Sequence, residues 1–190
     1  QVWPDERRRG RAEPEWLTPP DFEDWRDQSQ TLSGMAAFLG WQPDLTGTGD
    51  PESLTGAQVS WNFFSLLGVT PSLGRDFRLE DDDPGAGPVV MLSEGLWRRR
   101  FGADPDLLGR SITLNGEPWT VVGILPADFR APLAFAPDVY RPLRRESNSG
   151  CDRNCSVLRA IGRMKPGVTL ERTQQDLAAI AARLEQEYPG

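Results

Sequence analysis

Apolar positions in this chain come in short bursts, and the most regular patterning lies in residues 88–125, PVVMLSEGLWRRRFGADPDLLGRSITLNGEPWTVVGIL. Residues 88–92 are an apolar run with the length of a buried strand. Ser93 stops that run and is placed to cap a helix, its hydroxyl accepting from a backbone N–H that lacks a partner in the first turn. Leu96, Trp97, Arg100 and Phe101 follow, with Trp97 and Phe101 four apart on one side, and Gly102 stands where a left-handed helix end is wanted. After a short turn over 104–109, Ser111-Ile-Thr-Leu and Glu117-Pro-Trp-Thr-Val-Val flank Asn115-Gly116. That pair predicts a two-residue hairpin, because both residues tolerate positive φ. Ile112 and Leu114 then share a face with Trp119 and Val121.

The flanks read as helix, strands and helix. Residues 1–4 have the pattern of a strand end, and 5–14 are charged and irregular, the composition of a mobile loop. Thr18-Pro19-Pro20 opens a helix with Thr18 as its cap, and Asp21, Glu23 and Asp24 suit its positive end. Phe22 and Trp25 begin its buried stripe, which Leu32 and Met35 extend. Residues 36–45 and 52–60 read as two strands joined through the turn formers of 46–51 into a hairpin. Ser60 is placed to cap a short helix over 61–67, closed by Gly68, and 69–77 is an extended connector turning at Gly74. Residues 126–137, with prolines at 126, 132 and 137, are expected to form a loop. Residues 138–143 are expected to form an edge strand, since Pro142 cannot donate to a ladder. A strand over 157–164 and a turn at Lys165-Pro166-Gly167 lead to a final helix from near Thr169. On it Leu170, Leu177, Ile180, Ala181, Leu184 and Tyr188 recur at three- and four-residue intervals, until Pro189.

Composition narrows the class. A length of 190 residues suits one domain or two small, tightly associated ones, and a 38% hydrophobic fraction with seven Trp and eight Phe supplies a core. The apolar runs are too short to span a bilayer and no signal-peptide pattern is present; hydrophobic anchors of a membrane-bound or exported protein would lie outside these residues. A net charge of −7 argues against a nucleic-acid surface, and the short Arg clusters at 7–11 and 98–100 have acidic neighbours. Histidine is absent, which removes the commonest general base and the commonest metal ligand together.

The phrases AQVSWNFFSLLGVTPSLGRDF (57–77), residues 88–129 beginning PVVMLSEGLWRRRFGADP, DVYRPL (138–143) and GRMKPGVTLERTQQDLAAIAARLEQEYP (162–189) resemble the extracytoplasmic domain of MacB/FtsX-type ABC transporter permeases. TPPDFEDWRDQSQTLSGMAAF (18–38) looks like the start of that domain in the large permeases common in Acidobacteria and relatives. The resemblance implies an α+β fold in two parts, inserted between the first and second membrane helices of the permease. A porter-like part would combine 1–70 with 155–190, and a smaller, mostly β, sabre-like part would span 71–154. It also implies a further porter strand after the last helix, before the next membrane helix. The implied role is non-catalytic: a periplasmic body on the inner membrane that couples ATP-driven motion of the membrane helices to substrates or accessory proteins outside. Its partners would be the rest of the permease, its ATP-binding subunit and a periplasmic adaptor or substrate, and the isolated domain would be a monomer. The alternative is a stand-alone ligand- or lipid-binding module of the same fold, with a groove between its two parts.

No catalytic, cofactor-binding or metal-ligating residue is assigned, and no cofactor is expected. Cys151 and Cys155 form C-x3-C; without His or a second Cys pair a zinc site lacks ligands. Two thiols in an extracytoplasmic loop can form a disulfide, the other reading being two free thiols, and geometry decides between them. The acidic run 80–83 lacks the alternating ligands of an EF-hand and reads as a solvated turn. Ser93 does not stand in G-x-S-x-G and reads as a cap. The glycine-rich stretch 46–56 lacks the Walker lysine and reads as a hairpin turn. Trp25, Trp41, Trp61, Phe63, Phe64, Trp97, Phe101 and Trp119 are expected mostly in the core, and any exposed together would mark a partner or lipophilic-substrate surface.

Overall fold

Nine strands of one sheet lie side by side in a computed structural model that describes residues 16–47, 49–83, 85–144, 153 and 155–188. The expectations for 1–4 and 5–14 fall outside those residues. In chain order the strands are β1 (Leu32–Trp41), β2 (Asp44–Thr46), β3 (Glu52–Ser53), β4 (Gly56–Val59), β5 (Leu73–Gly74), β6 (Val89–Leu92), β7 (Ser111–Leu114), β8 (Glu117–Ile124), β9 (Val139–Pro142) and β10 (Arg159–Met164). Across the sheet they run β10-β1-β4-β9-β6-β8-β7-β2-β3, and β5 pairs with β8 off that path. The helices are α1 (Pro19–Gln28), α2 (Phe63–Leu67), α3 (Glu94–Phe101) and α4 (Leu170–Glu187). The fold is α+β, and strands from both chain ends hydrogen-bond beside strands from the middle.

The unit over 88–125 forms as its patterning dictates. The Ser93 hydroxyl accepts from the Leu96 amide, and Gly102 ends α3 at φ +61, its amide bonding back to the last turn. Asn115 (φ +52) and Gly116 (φ +80) make the tight hairpin turn between β7 and β8. Ile112 pairs directly with Trp119, and both are buried with Leu114 and Val121 beneath Leu96. Fully burying a leucine such as Leu96 contributes about 2 kcal/mol. Three clusters divide the core. Alternation sends Ala36, Phe38, Ala57, Val59 and Tyr140 to one face of the sheet, where the α2 rings Phe63 and Phe64 pack on them. The other face carries the cluster under α3 and a third around Phe22, Leu32, Met35, Ala37 and Leu158, against which α1 packs.

Several expectations are corrected. Leu32 and Met35 do not extend the α1 stripe; α1 stops at Gln28 and both residues belong to β1, which starts earlier than 36. The hairpin over 36–60 exists but bends: β1 pairs with β4, then the chain breaks at Pro43 and at Leu54, and the tip β2–β3 turns away to pair with β7. The Leu54 amide donates to the Pro43 carbonyl and carries the hydrogen bonding across that break. Ser60 does not cap α2, whose cap position is Asn62; the Ser60 hydroxyl accepts from the Ala37 amide and donates to Asn62 Oδ1.

Residues 139–142 are not an edge strand. β9 lies inside the sheet, parallel to β4 and antiparallel to β6. The amides of Val139 and Leu143 donate to Thr55 and Val59 on the β4 side. Alternation therefore turns the Pro142 nitrogen toward β6, where pairing has already ended at Tyr140, so its missing N–H leaves no rung empty. On α4, Leu170 and Tyr188 are exposed, while Thr173, Ile180 and Leu184 are buried. Among the described residues no helix is long and apolar enough to cross a membrane.

Candidate functional site

The charged residues that converge in this fold do so as arginine–carboxylate clasps. Arg75 grips Asp81 with two bonds, 2.7 and 3.0 Å, while the Arg78 amide donates to the same carboxylate at 2.8 Å. The acidic run is thus no solvated turn throughout. It forms a 3₁₀ turn, Leu79–Asp82, with Asp81 buried inside. Burial alone would raise Asp81; the Arg75 bonds and the Arg78 amide outweigh it and hold its carboxyl below the usual range. Neighbouring Asp76 goes the other way, pushed up by burial despite accepting from the Phe77 amide.

A second clasp fixes α3. Arg99 bonds Glu52 at 2.7 Å and Asp138 at 3.2 Å, and Arg100 donates to the Asp50 carbonyl, so these two arginines staple the helix to the hairpin tip and to the start of β9, while Arg98 pairs with Glu94 within the helix. Arg141, on β9, lies over Trp41 at 4.6 Å and Trp119 at 5.4 Å, the two indoles themselves 5.5 Å apart. Burial pushes this guanidinium down, with Arg144 adding to it, but an arginine remains charged there.

Two clefts lie along α4. The first, about 240 Å³, is lined by Leu17, Asp21, Trp25, Arg153, Ala181, Leu184, Glu185 and Tyr188. In it Arg153 donates to Asp21 at 2.5 Å and Asp24 at 2.6 Å and stacks on the Tyr188 ring at 3.8 Å. The second, about 580 Å³ and polar, is formed by Gln30, Thr31, the turn 166–168 and Arg172, Gln175 and Asp176 of α4. Asp176 closes it from below: one of its oxygens accepts from the hydroxyls of Ser29 and Thr31 and from the amides of Gln30 and Thr31. Burial works against that carboxylate, and the four donors lower it overall.

The residues singled out from the sequence fall as follows. Ser93 is a helix cap, and β2 and β3 pair at the tip of the bent hairpin. Among the described residues no cluster of Cys, Asp and Glu is arranged to hold a metal ion. Cys151 lies outside the described residues. Of the eight aromatics, Phe63, Phe64 and Trp119 are buried, Trp25, Trp41, Trp97 and Phe101 are half-buried, and Trp61 is exposed. Sequence reasoning missed Arg153, Arg141 and Asp176, each of which finds partners far away in the chain. Asp21 and Asp24, read from the sequence only as suiting the positive end of α1, are the carboxylates that Arg153 meets.

The profile of the MacB-like periplasmic core domain family matches residues 1–180. No curated protein sequence matches the chain. The fold is similar to the crystal structure of the periplasmic region of MacB from Actinobacillus actinomycetemcomitans, with a TM-score of 0.70 at 16% identity, over 98% of this chain and 81% of that one. It is also similar to the extracellular domain of the noncanonic ABC-type transporter YknZ from Gram-positive bacteria, with a TM-score of 0.68 at 15% identity, over 93% of this chain and 86% of that one.

Proposed function

The chain belongs to the MacB-like periplasmic core domain family, and from that premise we propose that it passes ATP-driven motion of membrane helices to substrates or accessory proteins outside the membrane. It is a non-catalytic periplasmic or extracellular domain of a MacB-like ABC transporter permease, whose partners are the membrane and ATP-hydrolysing parts of that transporter.

One observation carries the coupling role: the sheet is continuous from β10, at one end of the chain, through β9 and β6 to the hairpin tip on β7. Motion applied at one edge of a hydrogen-bonded, close-packed sheet reaches the other edge with little loss. The division into a porter-like part (1–70 and 155–190) and a sabre-like part (71–154) belongs to the same proposal. In it the two parts turn together, since Tyr140 of the middle packs on Phe64 of the first segment at 5.1 Å. The test places spin labels at Ser65 and Asp106, exposed positions in the two parts, in the full-length permease with its ATP-binding partner. The distance between them stays constant on adding ATP, while the distance from either label to a membrane helix changes. A changed distance between the two domain labels removes the rigid-body reading.

The Cys151–Cys155 disulfide is part of the proposal, supported by the extracytoplasmic setting of the family. Intact-mass measurement of the chain gains the mass of two hydrogens on reduction; an unchanged mass means two free thiols.

A further inference from the structure

The first cleft has the chemistry of a seat for a cation, and the chain has put one of its own cations there. Asp21, Asp24 and Trp25 stand three and four apart on one side of α1. Leu184, Glu185 and Tyr188 come together at the end of α4 by the same spacing. The two helix faces meet over an apolar floor in which Leu17 and Leu184 are buried. Carboxylates at the wall and an aromatic ring at the mouth attract a planar, weakly hydrated cation by charge and by the ring quadrupole together.

Arg153 supplies that cation. It belongs to no helix or strand; its guanidinium reaches across to Asp21 and Asp24 and lies over the Tyr188 ring. The side chains of Arg153, Asp21 and Asp24 keep 26, 27 and 28% of their surface in contact with solvent. Such a clasp exchanges with solutes more readily than a buried one. Beside it about 240 Å³ remains open, room for a guanidinium carrying a small apolar group.

We propose that the cleft between α1 and α4 is a binding site for a guanidinium with an apolar substituent, either an arginine side chain of a partner protein or a small organic cation, and that Arg153 is its resident competitor. The site stands apart from the coupling role and would persist if that role failed. A ligand displacing Arg153 exchanges one guanidinium for another on the same carboxylates, so the cost of entry is the release of a single side chain.

The test titrates the chain with benzylguanidinium, and separately with an acetylated Trp-Arg-Trp peptide, by calorimetry. Arg153→Ala binds benzylguanidinium about tenfold more tightly than the unaltered chain, because the competitor is gone. Adding Asp21→Asn and Asp24→Asn to Arg153→Ala cancels the gain. Arg153→Gln, which keeps the aliphatic stem of the side chain without its charge, gives the same tightening and serves if the alanine variant does not fold. Tighter binding of the peptide than of benzylguanidinium identifies a partner's arginine as the natural occupant, and the reverse order a small cation. Equal binding by Arg153→Gln and the unaltered chain, or a gain that survives loss of both carboxylates, overturns the proposal.

Discussion

At the scale of the residue, Asp76 and Asp81 show how position decides what a carboxylate does. Burial raises both, yet Asp81 receives the guanidinium of Arg75 squarely and is lowered overall, whereas at Asp76 burial prevails. The signs of their contributions therefore oppose. Asp81 is held below its unfolded value of about 3.9, so its contribution is complete above that pH and is lost as the pH falls through its folded value. Asp81→Asn lowers stability at neutral pH by about 1 to 3 kcal/mol, read as an earlier urea midpoint, and flattens the acid limb of the pH–stability curve. Asp76 is raised, so its charge opposes folding at neutral pH. Asp76→Asn keeps an acceptor for the Phe77 amide and moves the urea midpoint slightly upward. Gly74 presents a different constraint. At φ +77 it lies so close to β8 that a Cβ would meet the Val122 carbonyl oxygen at 2.2 Å. Gly74→Ala costs about 2 to 4 kcal/mol in a thermal melt, more than an exposed glycine substitution explains.

At the scale of the element, legibility followed the range of the forces. α3 and the β7–β8 hairpin are specified by neighbours: a serine cap, a left-handed glycine and an Asn-Gly turn. Those features act over a few residues, and the sequence displayed them. The bend in the first hairpin and the interior place of β9 depend on pairing between distant segments, and Pro142 misled because only the unused side of the strand tells where its nitrogen points. The α1–β1 junction is a third case. Nothing in Ser29-Gln30-Thr31 names its partner, yet Asp176 on α4 gathers four donors there and sets where the helix stops and the strand begins. Asp176→Ala leaves those groups to water and costs about 1 to 2 kcal/mol. Hydrogen exchange locates the effect: amides at the α1 end and the first residues of β1 lose protection, while β7 and β8 keep theirs.

At the scale of the whole molecule, the family resemblance did what local patterning cannot, naming an extracytoplasmic transporter domain that the profile match establishes. The candidate site was less visible, since its cation and its carboxylates come from opposite ends of the sequence and neither helix carries the full set. The chain alone is expected to run as a monomer, most of its large apolar side chains being spent on three internal clusters. Light scattering at micromolar concentration gives the mass of one chain; twice that mass would contradict it.

The interior position of β9 also sets an order of assembly. Its two neighbours, β4 and β6, arrive earlier in the chain, and β4 pairs with it across a long sequence separation. Before β9 comes, β4 and β6 have no hydrogen-bonded rung between them, and the two strand groups meet only through the hairpin tip on β7. It is the keystone of an arch laid from both sides, set later than the local β7–β8 hairpin, because its loop-closure entropy is spent before any rung forms. Refolding followed at Tyr140 should lag behind refolding followed at Trp119.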